Sequence, residues 1–124
     1  MAERRILVVD DTPIVRTATA LMLESLGYKV DEAANGSIAL TMFKPGLYAA
    51  VIMDFHMPNM NGFECTAKIR ELEKTSGRRI PIICMSTAKE ADMKERCLAA
   101  DLDDFLDKDC GIGELMATLL HWVG

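Results

Sequence analysis

The sequence has little of what marks membrane-spanning or exported proteins. Aromatic residues make up only 6% of its 124 positions, and no apolar run approaches the roughly 18 residues that a membrane-spanning helix needs. Only a short apolar stretch precedes Asp10, so the N-terminus lacks the apolar segment of a secretion signal. We therefore expect a protein that has neither a membrane anchor nor a secretion signal.

Positive charge and paired cysteines are scarce as well. The chain has 14 Lys and Arg residues against 19 Asp and Glu, and its net charge of -5 is opposite to the clustered positive charge of nucleic-acid-binding proteins. The four cysteines form no CxxC pair, and no histidine pair stands at ligand spacing, which argues against a structural zinc site. We interpret Cys65, Cys84, Cys97 and Cys110 as reduced thiols, which predicts a cytoplasmic protein.

What is present is the pattern of an α/β protein. Half of the residues are apolar and 27% are charged, a globular composition for which we expect one compact domain over residues 1–124. Five short apolar runs alternate with amphipathic stretches, which is typical of a parallel sheet covered by helices on both faces. No linker interrupts the chain and the last predicted helix ends with it, so we expect no appended output domain.

Strands are predicted over residues 6–9, 28–33, 49–53, 81–85 and 104–107. Thr12 and Pro13 are predicted as the N-cap and first residue of a helix that runs up to Gly27. The apolar period of that helix is carried by Ile14, Ala18, Leu21, Met22 and Leu26. Further helices are predicted over residues 37–43, 63–74 and 112–123. One more helix is predicted between the fourth and fifth strands. Its apolar side carries Met93, Cys97, Leu98 and Ala100, of which we expect Met93, Cys97 and Leu98 in the core.

Polar side chains capable of chemistry follow the ends of four different strands. They are Asp10 with Asp11, Asp54, Ser86 and Lys108. Because the carboxyl ends of parallel strands share one edge, where ligands bind, we expect these side chains to converge. Carboxylates that lie close together repel one another unless a cation neutralises them, and magnesium suits an oxygen cluster with open positions. An aspartate in such a site can accept a phosphoryl group as an acyl phosphate.

These residues resemble the receiver domain of two-component response regulators over the whole chain, including the receivers of hybrid histidine kinases. Four segments carry the resemblance: residues 6–11, which end in Asp10 and Asp11, residues 54–62, residues 81–86 and residues 104–108. It implies a flavodoxin-like, doubly wound sheet of five parallel strands in the order 2-1-3-4-5 with five helices. It also implies a phosphorelay function in signal transduction.

The resemblance implies a role for each acidic position. Asp54 matches the aspartate that is phosphorylated, which makes the protein a phosphoprotein that carries an aspartyl phosphate. Asp11 matches the direct Mg2+ ligand. Asp10 matches the acid that reaches the metal ion through water. His56 matches the position whose backbone carbonyl binds the metal ion, which leaves its imidazole without an assigned role.

The resemblance also assigns the partners of the phosphoryl group. Lys108 matches the lysine that pairs with the acceptor, and Phe105 matches the aromatic switch residue. Ser86 stands 22 residues before Lys108, the spacing usual for the hydroxyl residue, which favours it over Thr87. Asp109 replaces the usual proline after the lysine, so we expect a trans peptide bond there instead of the family's cis bond, together with a rearranged loop after the fifth strand.

Partners follow from the same resemblance. The phosphoryl donor would be a histidine kinase or a histidine phosphotransfer protein, and the α4-β5-α5 face would bind a downstream target or a second copy. Such a domain catalyses its own phosphorylation without turning over free substrates.

Two alternative functions remain. One is an adaptor with a vestigial pocket, and the other is a phosphatase with an aspartate nucleophile, although His56 stands where such phosphatases usually have a second acid. Whether the protein is a free-standing regulator or a hybrid-kinase receiver stays open.

Simpler structural roles compete with some of these assignments. Asp10 and Asp11 could be acids that favour a helix N-terminus, and Lys108 could be a solvated surface lysine. Their common placement at strand ends favours the site. Three further acids are predicted to be strand-end or solvated groups outside the metal site: Asp103, Asp104 and Asp107.

Overall fold

The computed structural model describes residues 4–86 and 92–123 as five strands that alternate with five helices. The strands are β1 (Arg5–Val9), β2 (Lys29–Ala33), β3 (Ala50–Asp54), β4 (Ile82–Ser86) and β5 (Asp104–Asp107). The helices are α1 (Pro13–Ser25), α2 (Gly36–Met42), α3 (Gly62–Glu73), α4 (Met93–Ala99) and α5 (Ile112–Trp122). Element types agree with the sequence prediction, and most ends differ by one or two residues.

All neighbouring strands pair in parallel, in the order β2-β1-β3-β4-β5. The register places Val9 beside Met53 and Asp54 beside Met85. These pairings bring the carboxyl ends of β1, β3 and β4 to one edge of the sheet. The predicted fold, a flavodoxin-like doubly wound parallel sheet, is confirmed.

Two apolar cores lie on opposite faces of the sheet. Leu7 and Val9 belong to the core covered by α2, α3 and α4, whereas Ile6 and Val8 belong to the core covered by α1 and α5. Successive side chains of a strand point to opposite faces, so a strand buried on both faces is apolar at every position. This explains the continuous apolar runs of β1, β3 and β4.

Local hydrogen bonds set the first turns of α2 and α3. The Asn35 side chain accepts a hydrogen bond from the backbone N–H of Ile38, at 2.8 Å. At α3 the Asn61 side chain accepts from the Glu64 N–H, and the Glu64 carboxylate accepts from the Asn61 N–H, which forms a capping box. Thr12 occupies the predicted cap position of α1 and Pro13 the first helical position, but the Thr12 side chain makes no capping hydrogen bond.

The apolar residues that carry the period of α1 do not all lie on its buried side. Ile14 is 83% exposed and Leu21 61% exposed, whereas the buried residues of α1 are Thr19, Ala20 and Leu23. With 3.6 residues per turn these two sets lie on opposite sides of the helix. The period therefore correctly predicts a helix, whose partly buried Met22 packs against the core while Ile14 and Leu21 lie on the exposed side.

The prediction that Leu98 lies in the core is wrong. Met93 and Cys97 are buried in contact with the core, but Leu98 is 50% exposed. Met93 and Cys97 are four residues apart and share one side of α4, and Leu98 is rotated about 100° away from Cys97.

The prediction of reduced cysteines is confirmed, since all four are free thiols in the described residues. Within these same residues, no helix is long and apolar enough to cross a membrane.

Candidate functional site

Three carboxylates meet at the carboxyl edge of the sheet. Asp10 and Asp11 follow β1, and Asp54 is the last residue of β3. One carboxylate oxygen from each lies within 4.8 Å of the others. Asp10 and Asp54 are buried, at 5% and 2% exposure, whereas Asp11 is exposed at the mouth of the site. The structure thus confirms the predicted convergence of these acids.

Lys108 closes the site from the end of β5. Its Nζ lies 3.0 Å from Asp54 Oδ1 and 3.2 Å from Asp10 Oδ2. Burial alone lowers the pKa of Lys108, but the hydrogen bonds and negative charges of Asp54 and Asp10 outweigh it and raise the pKa above its ordinary value. Lys108 is therefore a fixed positive charge between two buried carboxylates and not a solvated surface lysine.

The two oxygens of Asp54 have different surroundings. Oδ1 accepts hydrogen bonds from the His56 backbone N–H, at 3.2 Å, and from Lys108. Oδ2 is buried and has no hydrogen-bond partner. Burial raises the pKa of Asp54 to about 6, assisted by the charge of Asp10 and opposed by Lys108 and the His56 N–H. An unpartnered buried oxygen on an acid with a raised pKa is uncommon in a purely structural carboxylate.

A tight loop between β3 and α3 presents Asp54. The Gly62 N–H donates to the Phe55 carbonyl, at 3.0 Å, and Asn59 adopts a left-handed conformation with φ 69°. A Cβ at Gly62 would lie 2.7 Å from the Asp54 carbonyl oxygen and 3.0 Å from the Phe55 Cα. Only glycine therefore lets α3 begin this close to the end of β3.

Asp10 is held at three atoms. Its Oδ1 accepts from the Thr12 N–H, at 2.9 Å, and its Oδ2 lies against Lys108. Its backbone carbonyl accepts from Arg16 Nη1, at 2.9 Å. Sequence reasoning missed Arg16, because nothing in the primary structure shows that this residue of α1 reaches back to β1.

The roles of the other residues predicted for the site remain predictions. Ser86 is fully buried at the end of β4, and its carbonyl accepts from the Lys108 N–H at 3.2 Å. His56 has an exposed side chain beside the Phe55 ring, with 4.7 Å between the ring centroids. Phe105 is half-buried and packs against the core on the α4 side. Thr87, the alternative to Ser86, lies outside the described residues.

The peptide bond between Lys108 and Asp109 is trans, as predicted, since no cis bond occurs among the described residues. Asp107 Oδ1 accepts from the Asp109 N–H at 2.8 Å, which shapes the turn that follows β5.

Asp103, Asp104 and Asp107 do not belong to the carboxylate cluster of the described residues. Asp103 pairs with Arg70 and Arg79 beside the start of β4, at the opposite edge of the sheet. Asp104 accepts from the Trp122 indole N–H, at 2.9 Å, and is therefore hydrogen-bonded and not simply solvated.

The donor set fits a hard divalent cation. It offers carboxylate oxygens from Asp10, Asp11 and Asp54, the last with an unpartnered buried oxygen. Magnesium prefers oxygen ligands and usually binds through one or two carboxylates while keeping several waters. Lys108 supplies only one positive charge against three carboxylates, so a cation would reduce their remaining repulsion.

Two curated proteins with similar sequences are far longer than this chain. It is 36% identical over 121 residues to the hybrid signal transduction protein dokA of Dictyostelium discoideum, which covers 98% of the chain and 7% of dokA. It is 38% identical over 114 residues to the sensor histidine kinase RcsC of Salmonella typhi, which covers 92% of the chain and 12% of RcsC. The chain thus spans about a tenth of the length of these curated relatives.

A solved structure matches over nearly the full chain. It is the receiver domain of a sensor histidine kinase from Pseudomonas aeruginosa, with a magnesium ion coordinated in its active site cleft. The two chains are 37% identical and superpose with a TM-score of 0.84, covering 99% of each. The family model of the response regulator receiver domain matches residues 6–120. The convergent acids and lysine, the strand order and these matches agree: the chain belongs to the response regulator receiver domain family.

Proposed function

We propose that this receiver domain accepts a phosphoryl group on Asp54 from a phosphohistidine of a histidine kinase or a histidine phosphotransfer protein. The observation that carries the proposal is the arrangement around Asp54, whose Oδ1 contacts Lys108 while its buried Oδ2 has no partner. In the transfer an Asp54 oxygen forms a bond to phosphorus, and the bond from phosphorus to the imidazole nitrogen of the donor breaks. The imidazole leaves with the electron pair of that bond.

The chain's own residues have separate tasks in this reaction. Asp11, Asp10, Asp54 and the His56 carbonyl would hold Mg2+, which compensates the negative charge of the phosphoryl oxygens. Lys108 holds Asp54 in place by its ion pair and is close enough to contact the incoming phosphoryl group. The Ser86 hydroxyl would donate a hydrogen bond to a phosphoryl oxygen, and Phe105 would respond by repacking.

The partner's docking surface is proposed to be the exposed side of α1. Pro13, Ile14, Thr17, Ala18 and Leu21 line a shallow apolar surface that starts two residues after Asp11. A partner that delivers a phosphohistidine to Asp54 must cover the mouth of the site, which Asp11 borders. An apolar surface continuous with that mouth suits a helix that carries the histidine.

The output is proposed to pass through the α4-β5-α5 face to a downstream target or a second copy. Leu98 of α4 is half exposed, and Phe105 of β5 is half-buried against the core on the α4 side. We infer a cytoplasmic domain of residues 1–124 that acts as a signalling switch and not as a turnover enzyme. Whether the domain is a free-standing regulator or part of a hybrid kinase does not alter this chemistry.

Acetyl phosphate with Mg2+ tests the proposal directly. We expect the intact mass to rise by one phosphoryl group in the wild type and in Glu71→Gln, an exposed acid of α3, but not in Asp54→Asn. Beryllofluoride with Mg2+ should shift the amide resonances of β4 and β5 in the same two proteins. If the wild type gains no mass and shows no beryllofluoride response, the domain is an adaptor with a vestigial pocket.

A further inference from the structure

The carboxylate of Asp11 differs from its neighbours in having no support of its own. Asp10 and Asp54 are held by Lys108 and by backbone N–H groups, whereas Asp11 makes no hydrogen bond or ion pair with any residue that the structure describes. Asp11 is also exposed. Its direction towards the cluster therefore depends on the backbone that carries it.

That backbone is held by Arg16. The carbonyl that accepts from Arg16 Nη1 belongs to Asp10, and it shares one planar peptide group with the N–H of Asp11. Fixing the carbonyl therefore fixes the orientation of the peptide from which the Asp11 side chain projects. A change at Arg16 would reach Asp11 through this peptide.

Arg16 is itself anchored at both ends. Its own N–H donates to the Thr12 carbonyl in the first turn of α1, and its Nε donates to Glu32 Oε1, at 3.1 Å, near the end of β2. The Asp10 N–H donates to the carbonyl of Ala33, the residue after Glu32. The guanidinium thus joins α1, the turn after β1 and the end of β2, and only 18% of the side chain is exposed.

Electrostatics alone does not explain an arginine at this place. A positive charge beside a cation site weakens the binding of the cation, since like charges repel. Glu32 offsets part of this charge. The planar guanidinium can donate to a carbonyl and a carboxylate in one fixed geometry, which a lysine ammonium cannot reproduce.

We propose that Arg16 is a positioning residue, which holds the Asp10–Asp11 peptide so that the Asp11 carboxylate faces the Mg2+ site before the metal binds. This inference rests on the proposed function, because it assumes that the cluster binds Mg2+. Arg16 acts through the backbone and contacts neither the metal nor the phosphoryl group.

The sign of one substitution separates this role from a purely electrostatic one. We expect Arg16→Gln to weaken Mg2+ binding on the order of tenfold, as loss of a residue that supports a metal ligand typically does. If Arg16 acted only as a charge, its removal would leave the affinity unchanged or raise it. Titration calorimetry with MgCl2 measures the dissociation constant, and Mg2+ binding as tight as in the wild type, or tighter, overturns the proposal.

Arg5→Gln is the matched control. Arg5, the first residue of β1, pairs with Asp31 in the middle of β2, at a distance of 2.9 Å and with a partly buried side chain. Its removal should leave Mg2+ affinity unchanged. If Arg16→Gln does not fold, the Mg2+ affinity of Arg16→Lys tests the proposal instead. We expect Arg16→Lys to bind Mg2+ more weakly than the wild type, and an equal affinity overturns the proposal.

A second readout needs no metal. In the metal-free protein, Arg16→Gln should shift the Asp11 amide resonance, because the hydrogen bond to its own peptide group is lost, while Arg5→Gln should not. An unmoved Asp11 amide also overturns the proposal. Failure of the proposed function is seen separately, as a wild-type protein that neither binds Mg2+ nor gains a phosphoryl group.

Discussion

Asp54 is a carboxylate whose surroundings favour its neutral form in the absence of a cation. It is 2% exposed, and burial raises its pKa to about 6 from an ordinary value of 3.8 despite the hydrogen bond from Lys108. Between these two values the folded chain binds more protons than the unfolded chain. The free energy of unfolding therefore falls as the pH rises through that window, and stays lower above it.

Replacing Asp54 by Asn should stabilise the metal-free protein at pH 8 but hardly at pH 4. We expect a gain of about 1 to 3 kcal/mol in the free energy of unfolding at pH 8, since a raised pKa of this size corresponds to that energy. Urea denaturation with EDTA at both pH values measures it, with Glu71→Gln as the control. Equal effects at the two pH values would contradict this account of Asp54.

The buried thiols should be chemically inert. Burial raises the pKa of Cys65 to about 11 and also raises the pKa of Cys84, so neither forms the reactive thiolate at neutral pH. We expect at most one of the four cysteines, the half-buried Cys110, to react readily with Ellman's reagent in the native protein, and all four after denaturation. Fast reaction of two or more native thiols would show that the α4 side of the core opens.

Helix α1 has two apolar sides with different uses. Thr19, Ala20 and Leu23 are buried, whereas Ile14 and Leu21 lie on the exposed side, on an apolar surface that starts at Pro13. Apolar side chains that stay this exposed contribute little to the stability of the fold. They are available to a partner.

The double substitution Ile14→Ser with Leu21→Ser should separate docking from chemistry. We expect phosphotransfer from a phosphohistidine partner to slow about tenfold, as loss of more than 1 kcal/mol of contact energy would produce. Labelling by acetyl phosphate should not change, because this small donor needs no docking surface. The control is Leu72→Ser, a substitution of an apolar residue of α3 that is 42% exposed. An equal loss with both donors would mean that α1 affects the site itself.

A buried ionic network stabilises the edge of the sheet that lies opposite the site. Arg70, 8% exposed, donates to Glu73 at 2.7 Å, to Asp103 at 2.8 Å and to the backbone carbonyls of Ile80 and Asp101. Glu73 and Asp103 in turn accept from backbone N–H groups at the start of β4. The network joins α3 to the strand that carries Ser86.

Removing Arg70 should therefore destabilise the entire domain. We expect Arg70→Ala to lower the free energy of unfolding by about 3 to 5 kcal/mol, because Glu73 and Asp103 both lose their buried ion pair with Arg70. Arg79→Ala, which removes a half-exposed arginine from Asp103 and from the exposed Asp101, should cost under about 1 kcal/mol. Urea denaturation compares the two variants, and similar losses would show that the buried network is not special.

The primary structure was sufficient to predict the types of the elements and the convergence of three acids and a lysine at one edge of the sheet. In a parallel sheet the strand ends share one edge, so Asp10, Asp11, Asp54 and Lys108 could be placed together from their positions after apolar runs. The resemblance to receiver domains added the order of the strands. These features are local in the chain or repeated in a family, and both kinds of signal survive in a linear sequence.

Packing settled the rest. The buried side of α1, the exposure of Leu98 and the reach of Arg16 to the Asp10 carbonyl depend on how helices lie on the sheet. The same holds for the unpartnered Asp54 oxygen and the 3.0 Å contact with Lys108. The apolar period of a sequence indicates that a helix has an apolar and a polar side. Which residues are buried, and which atoms come into contact, depends on packing between residues that are far apart in the chain.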